Sequence, residues 1–283
     1  MRLAELDPHV FRVCAGTVGL GFGLVATKLA DALPRRYGIA HRVTRKRRAY
    51  RNVALVGLAA LCAFGIAHVL TGAGDLSLHN AIFLFSTHAA LATCALTGAA
   101  IDFEHMILPN ELTLAPAALC LVTSPFRSVG VVGSVTGAIV GLAIAYLPLL
   151  AYSRVRGRSG MGLGDAKLSL MAGAWHGASG AVFVVFFAAV QATVAAVGMR
   201  ALGIAYETPE SVEAELETLR ERAAAGDEDA KSELAADPMA SAPVDGTLGM
   251  RLPLGPFLAL GCIEVLFLRR WLVEHVLTWL GAR

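Results

Sequence analysis

The sequence predicts an all-α fold, a polytopic membrane helix bundle of about eight transmembrane helices. Of its 283 residues, 56% are hydrophobic and 16% are charged, and the mean hydropathy is +0.62. Soluble domains contain about 25% charged residues, and several apolar runs here approach or exceed the roughly 18–20 residues that a helix needs to cross a bilayer. These runs are continuous and do not alternate with period two, which argues against a membrane β-barrel.

Eight predicted spans follow one another along the chain. Each ends where prolines, glycines or charged residues interrupt the apolar run. The sixth is short for a full crossing, so seven crossings are the alternative if this segment only dips into the bilayer. The spans cover residues 9–31, 52–72, 80–101, 111–126, 130–151, 166–177, 180–204 and 252–280.

Basic residues predict the orientation of these spans. The loop 32–51 is rich in arginine and lysine, and by the positive-inside rule it lies in the cytoplasm. The later connections then alternate, which puts 102–110, 154–167 and 205–251 on the same side and leaves one basic residue, Arg127, in the outer connections. A basic loop can also bind nucleic acid, but beside membrane spans topology is the better explanation, and we predict no nucleic-acid partner.

The predicted domain organisation follows from the spans. Residues 1–205 form a membrane domain, and 252–283 add the last membrane helix that completes the bundle. Between them, 206–251 is predicted to be a flexible cytoplasmic loop, because twelve of the 22 acidic residues fall between 206 and 246. A helix is expected early in this loop, with Thr208 as its cap and Pro209 in its first position. A solvated linker is the preferred interpretation, and an acidic docking surface is the alternative.

The five cysteines predict neither a metal site nor a disulfide framework. They lie singly in apolar segments, and no two have the Cys-X-X-Cys spacing of a zinc site. We expect them to be small buried packing residues. They are Cys14, Cys62, Cys94, Cys120 and Cys262.

A first polar motif lies where the third predicted span ends. It contains Asp102, Glu104 and His105 and is followed closely by Pro109 and Asn110. Because Pro109 has no N–H and disfavours helical geometry at the residue before it, the third helix is expected to end near here. Asn110 is then a candidate N-cap of the fourth helix. The alternative is that these side chains form only an interfacial polar cluster.

A second motif, Gly162-Leu163-Gly164-Asp165, precedes the sixth span. With Gly160 it places three glycines in five residues, which lets the backbone adopt positive φ and approach another chain closely. Asp165 lies at a helix N-terminus, where the dipole favours negative charge, whereas Asp102 lies at a C-terminus, where negative charge is disfavoured. We therefore predict Asp102 as the acid and Asp165 as the base of a carboxylate pair. A glycine hinge with a capping aspartate is the alternative.

Two carboxylates at the ends of membrane spans indicate function. A charged aspartate at membrane depth is unfavourable by about 2.5–3.5 kcal/mol on insertion scales. Two neighbouring carboxylates can share a proton, so that one acts as a base while the other acts as an acid. Such a pair of carboxylates is typical of the active site of an aspartyl protease. The rival class is a transporter in which the same carboxylates relay protons or bind cations at a broken helix, but we find no repeat-like symmetry between the halves.

A third element, Leu252-Pro253-Leu254-Gly255-Pro256, makes an irregular start to the last span and either shapes a substrate cleft or packs closely against its neighbours. The three motifs in this order resemble the prepilin peptidases, the GxGD-type membrane aspartyl proteases that process type IV prepilins and type II secretion pseudopilins. The segment Leu33-Pro34-Arg35-Arg36 likewise resembles the end of that family's first helix.

The resemblance implies a GxGD-type aspartyl protease of the bacterial inner membrane, with its active site facing the cytoplasm. Asp102 and Asp165 would activate a water molecule to cleave the short basic leader of a prepilin or pseudopilin after a glycine. Proteolysis of this kind requires no cofactor. The residues expected to bind substrate or shape the site are Gly162, Gly164, Lys167, Glu104, Pro109, Asn110, Pro253, Gly255 and Pro256.

Two features depart from the family pattern. Bifunctional members carry paired Cys-X-X-Cys motifs in a cytoplasmic domain after the first helix, and nothing here matches them. Zinc is therefore not implied, and methylation of the cut pilin with S-adenosylmethionine stays open. The acidic segment 206–246 is also unlike the short loop that is usual at this place.

Overall fold

The computed structural model describes residues 2–39, 43–72, 76–156, 162–204, 209–236 and 252–277. Within these ranges the regular structure is helical, and the only β pairing is an isolated bridge between Arg2 and Ser77. The predicted all-α fold is therefore confirmed. Parts of the predicted basic and acidic loops, and the end of the last predicted span, lie outside the described residues.

The helices are labelled in chain order. They are α1 (Pro8–Arg36), α2 (Arg45–Thr71), α3 (Leu78–His105), α4 (Asn110–Thr123), α5 (Gly130–Arg156), α6 (Leu163–Ala201), α7 (Glu210–Ala224), α8 (Glu228–Ala236) and α9 (Gly255–Trp271). Short 3₁₀ turns cover Leu3–Glu5 and Ser124–Phe126, and a π-helical turn, Leu272–Leu277, follows α9.

Five of the described helices are long and apolar enough to cross a membrane by length and composition. They are α1, α2, α3, α6 and the part of α5 from Gly130 to Ala151. The helices α4 and α9 are shorter, with 14 and 17 residues. The protein is therefore a multi-pass membrane bundle, and the count of eight crossings stays a prediction.

Polar side chains set where the long helices begin. Asp7 accepts a hydrogen bond from the N–H of His9 at the start of α1, and Ser77 accepts one from Asn80 at the start of α3. Such caps satisfy N–H groups that have no partner inside the helix. The helix α1 continues past its apolar run into polar residues and ends at Arg36, five residues beyond the predicted boundary at 31.

The helix α6 is broken at Gly177, which has φ 81° and ψ 179°. This break separates residues 163–176, here called α6N, from residues 178–201, here called α6C. The two segments correspond to the sixth and seventh predicted spans. Only glycine adopts this positive φ without strain, so the break is encoded at that residue.

The segment α6N lies at the centre of the bundle. Its buried Leu168, Met171 and Trp175 belong to the main core, which also includes residues of α3, α4, α5 and α9. The helix α5 runs antiparallel to α6N at very short distance, because a methyl group at Gly137 or Gly173 would overlap the backbone of the other helix. Small residues permit this close approach between membrane helices.

The acidic insertion contains more helix than predicted. The expected helix is present as α7, with Pro209 as its N-cap residue instead of its first helical residue, and Thr208 lies outside the described residues. A second helix, α8, follows after a turn at Gly226, where φ is 98°. An ion pair of 2.6 Å between Arg222 and Asp227 closes this turn.

Candidate active site

Asp102 and Asp165 lie at two helix ends that meet at one end of the bundle. Asp102 is in the last turn of α3 and is 6% exposed, whereas Asp165 is in the first turn of α6N and is only partly buried. The charge of Asp165 contributes to the electrostatic potential at the Asp102 carboxyl group. We call this end of the bundle the aspartate end.

The N-terminus of α9 faces Asp102. The N–H of Gly255, the first residue of α9, donates a hydrogen bond of 3.1 Å to Oδ2 of Asp102. A Cβ atom on Gly255 would lie 2.5 Å from this oxygen and 2.9 Å from Cγ of Asp102. The absence of a side chain is therefore what allows α9 to approach the carboxyl group.

This contact changes the dipole argument made from the sequence. The C-terminus of α3 disfavours negative charge at Asp102, as predicted, but the N-terminus of α9 favours it. Because the two helix ends act in opposite directions on the same carboxyl group, helix dipoles do not by themselves assign the acid and the base.

Leu108 joins the three helix ends that form the site. It lies in the link between α3 and α4, and its side-chain atoms would lie 2.9 Å from a Cβ atom on Gly164, 3.1 Å from one on Gly255 and 3.4 Å from one on Gly98. The glycines of the second and third motifs thus make room for one leucine of the first. Leu108 was not predicted as a site residue, although its place between Asp102 and Pro109 in the sequence could have indicated it.

A hydrogen-bond chain forms the exposed rim of the site. Nζ of Lys167 donates to Oδ1 of Asn110 over 2.9 Å. The N–H of Asn110 donates to Oη of Tyr37 over 3.1 Å, and this hydroxyl donates to Oε2 of Glu111 over 2.9 Å. The chain links the end of α1 to the starts of α4 and α6N. Tyr37 was not predicted, because nothing in the sequence places the end of α1 beside α4.

Asn110 does not cap α4 as predicted. It is the first residue of the helix, and Pro109 occupies the N-cap position without a side-chain cap. The physical reason is that both polar ends of Asn110 are used elsewhere, its side chain by Lys167 and its N–H by Tyr37.

Glu104 belongs to an ion-pair network that connects three helices. Its carboxylate pairs with Arg51 of α2 at 2.6 Å, and both side chains are 8% exposed. Arg51 also pairs with Asp31 of α1 at 2.6 Å, and Asp31 pairs in addition with the more exposed Arg48. The network ties the last turn of α3, which carries Asp102, to α1 and α2.

The remaining predicted site residues lie around these helix ends. Gly162 precedes α6N, and its carbonyl accepts the Asp165 N–H over 3.2 Å. Pro253 is buried just before α9, and Pro256 is in its first turn. Gly160 lies outside the described residues. Among the described residues, no group of three or more His, Cys, Asp or Glu side chains is placed to hold a metal ion.

Part of the chain is similar to a known family. Residues 89–197 match the model of the type IV leader peptidase family. The prepilin leader peptidase/N-methyltransferase of Dichelobacter nodosus is 34% identical over 100 residues, 35% of this chain and 35% of that protein. The proteins of the same name from Pseudomonas aeruginosa and Burkholderia pseudomallei are 38% identical over 81 residues (27% of each chain) and 39% identical over 116 residues (39% and 36%).

The type IV leader peptidase segment contains both aspartates, Leu108, Asn110 and Lys167, and it ends before α9. The chain spans about a third of the length of the curated relatives it matches. No solved structure matches the chain. Gly255, which was predicted as a site residue and contacts Asp102 directly, lies outside the matched segment.

Proposed function

We propose that this protein is a membrane aspartyl endopeptidase that cleaves the leader peptide of type IV prepilins or type II secretion pseudopilins. The observation that carries the proposal is the meeting of Asp102 and Asp165 at adjoining helix ends inside the segment that matches the leader peptidase family. The relatives' name, prepilin leader peptidase, supports the choice of substrate class.

In the proposed mechanism Asp165 is the base and Asp102 the acid. The attacking water must arrive from solvent, and Asp165 is the more exposed of the two carboxyl groups. Its carboxylate takes a proton from the water as the water oxygen attacks the carbonyl carbon of the scissile peptide bond. Protonated Asp102 donates to the carbonyl oxygen.

Collapse of the tetrahedral intermediate breaks the C–N bond as Asp165 gives its proton to the leaving nitrogen and Asp102 takes back a proton from a hydroxyl group of the intermediate. The products are a leader with a new carboxyl group and a pilin with a new amino terminus. The Gly255 N–H holds the Asp102 carboxyl group in a fixed orientation during these transfers. Such preorganisation is a main source of catalytic rate.

The proposal includes an orientation in the bacterial inner membrane with the site facing the cytoplasm. Tyr37, within the predicted basic loop, donates to Glu111 and accepts from Asn110 at the site rim. Arg51, at the end of that loop, pairs with Glu104 beside Asp102 in the sequence. The site and the basic loop therefore share one end of the bundle, and the positive-inside rule puts that end in the cytoplasm.

The transporter alternative requires a broken helix at the carboxylates. The break in α6 lies at Gly177, about 18 Å along the helix from Asp165 at a rise of about 1.5 Å per residue. The backbone groups that it frees are therefore distant from both aspartates. This separation favours the protease.

The test is incubation of the purified protein with a prepilin in detergent or liposomes, followed by mass spectrometry of the product's amino terminus. We expect one cleavage at the leader boundary. Adding S-adenosylmethionine in a parallel reaction reads out whether a methyl group is also transferred.

Two variants test the catalytic pair in this assay. Asp102→Asn and Asp165→Asn should each abolish cleavage while the protein still inserts in the membrane, because each removes one member of the acid–base pair. Asp227→Asn, which changes an exposed aspartate of the α7–α8 turn, is the matched control and should cleave normally. Normal cleavage by either of the first two variants would refute the assignment.

A further inference from the structure

The helices α4 and α6N form a pair of equal length that starts at the aspartate end. Each has 14 residues, counting 163–176 for α6N, and so spans about 21 Å. At the aspartate end the pair is linked by the hydrogen bond from Lys167 to Asn110. The other ends of both helices lie together at the far end of the bundle.

The break at Gly177 leaves the last carbonyl groups of α6N without helical partners. Two side chains from outside the helix satisfy them. The carbonyl of Ala174 accepts from Oγ of Ser134 over 2.7 Å and from Nη2 of Arg127 over 3.0 Å. The carbonyl of Trp175 accepts from Nη1 of Arg127 over 2.8 Å.

The same guanidinium group holds the end of α4. Nη2 of Arg127 donates to the carbonyl of Cys120, in the last turn of α4, over 2.6 Å. Arg127 is only 7% exposed, and its hydrogen-bond partners among the described residues are carbonyl and hydroxyl oxygens, with no carboxylate among them. The negative ends of two helices compensate its charge instead, and the planar guanidinium supplies enough donors to reach both.

We propose that Arg127 is a positioning residue that sets the axial position of Asp165 from the opposite end of the bundle; this inference rests on the proposed function. The break at Gly177 uncouples α6N from α6C. The contact between α6N and α5 is made by glycines such as Gly137 and Gly173, which fix the distance between the helices but offer few side chains to prevent sliding.

Polar contacts at its two ends therefore add to the core packing of Leu168, Met171 and Trp175 in holding α6N along its axis. The Lys167–Asn110 hydrogen bond acts at the aspartate end, and Arg127 acts at the far end. A misplacement of about 1 Å at a catalytic group can lower the rate about 100-fold. A displacement of this size by α6N along its axis is thus sufficient to inactivate the site without unfolding the protein.

The kinetic test compares Arg127→Met with Arg269→Met. Arg269 lies near the same end of the bundle and donates to Oγ of Ser128 over 2.7 Å, and it does not hold the carbonyls of α4 or α6N. Arg127→Met should lower kcat for prepilin cleavage about 100-fold with KM unchanged. Arg269→Met should remain within about twofold of the wild type, since it leaves both helix ends capped.

Graded variants separate positioning from folding. Ser134→Ala removes one of two donors to Ala174 and should lower kcat by a smaller factor, about threefold to tenfold on the same scale. Arg127→Lys keeps the charge but loses the planar guanidinium group that reaches both helices, and its kcat should lie between those of Arg127→Met and the wild type. A loss of kcat that merely follows the fraction of folded protein, across all three variants, would overturn the inference.

A second measurement does not depend on catalysis. In a Cys14→Ser background, the pair Asn110→Cys and Lys167→Cys should be joined in membranes by a short bis-maleimide cross-linker that replaces the reach of the lysine side chain, and adding Arg127→Met should slow this cross-linking. An unchanged rate refutes the role of Arg127. If the wild-type protein cleaves no prepilin but this rate does change, the proposed function fails while the mechanical coupling stands.

Discussion

Replacing Gly255 with alanine tests the contact on which the site geometry depends. The new Cβ atom would lie 2.5 Å from Oδ2 of Asp102 and 3.1 Å from Cδ1 of Leu108, whereas ordinary van der Waals contacts begin at 3.4 Å. The start of α9 or the Asp102 carboxyl group must therefore move by about 1 Å, and displacements of that size at a catalytic group lower rates by about 100-fold.

The hydrogen bond from Gly255 to Asp102 is lost or lengthened in the same step. Because Asp102 is protonated in the proposed mechanism, this bond joins neutral groups and contributes about 0.5–1.5 kcal/mol, which corresponds to roughly 2- to 13-fold. The displacement is therefore the larger of the two effects. We expect Gly255→Ala to cleave prepilin about 100-fold more slowly, while the higher helix propensity of alanine, by about 1 kcal/mol, offsets part of the steric strain and keeps the protein folded.

The assay is the initial rate of prepilin cleavage at equal amounts of folded protein. Gly261→Ala, on the same helix as Gly255, is the packing control, because its Cβ atom would lie 2.8 Å from the carbonyl oxygen of Val184 on α6C, away from the aspartates. Gly198→Ala, with no atom within 4 Å, is the neutral control. Cleavage by Gly255→Ala within threefold of the wild type, or an equal loss in Gly261→Ala, would refute the reasoning.

Two further predictions concern stability. Arg51→Met leaves the carboxylates of Glu104 and Asp31 without their buried partner and should lower the free energy of unfolding by about 3–5 kcal/mol. Arg48→Met, at an exposed pair, should change the free energy of unfolding by less than about 1 kcal/mol. Denaturant unfolding in micelles measures both values, and equal effects of the two variants would contradict the network. Met106 has φ 54°, a left-handed conformation that is unfavourable by roughly 1–2 kcal/mol for a non-glycine residue. Met106→Gly should therefore raise the melting temperature or leave it unchanged, and a large decrease would show that the Met106 side chain holds the turn.

Much of the site was predictable because its parts are local. The proline at 109 and the glycines around Asp165 mark helix ends in the sequence, and the structure has helix ends there. The sixth and seventh spans were predicted to be separated by a connection from 177 to 180, and the structure has a break at Gly177, the first residue of that connection. In each case one residue type determines the local backbone conformation.

The contacts that assemble the site could not be predicted. Gly255 reaches Asp102 across 153 positions of the chain, and Tyr37 reaches Asn110 across 73. Such pairs depend on how whole helices pack, which no local pattern encodes. The cap assigned to Asn110 was wrong for this reason, because distant partners compete for its polar groups.

The role of Arg127 also could not be predicted from the sequence. In the sequence it is the one basic residue of the predicted outer connections, an exception to the charge pattern without an explanation. In the structure it caps two helices, which accounts for its presence. The role of Arg127 could not be predicted, because it depends on the break at Gly177 and the end of α4 lying side by side.

The central claim is that Asp102 and Asp165 act as one catalytic unit, and the most direct measurement is the residual rate of prepilin cleavage in Asp102→Asn, Asp165→Asn and the double variant. Members of a unit are strongly non-additive, so that removing both lowers the rate no further than removing one. We predict equal residual rates in all three. A double variant that is slower than either single variant by the product of their separate effects would contradict the account.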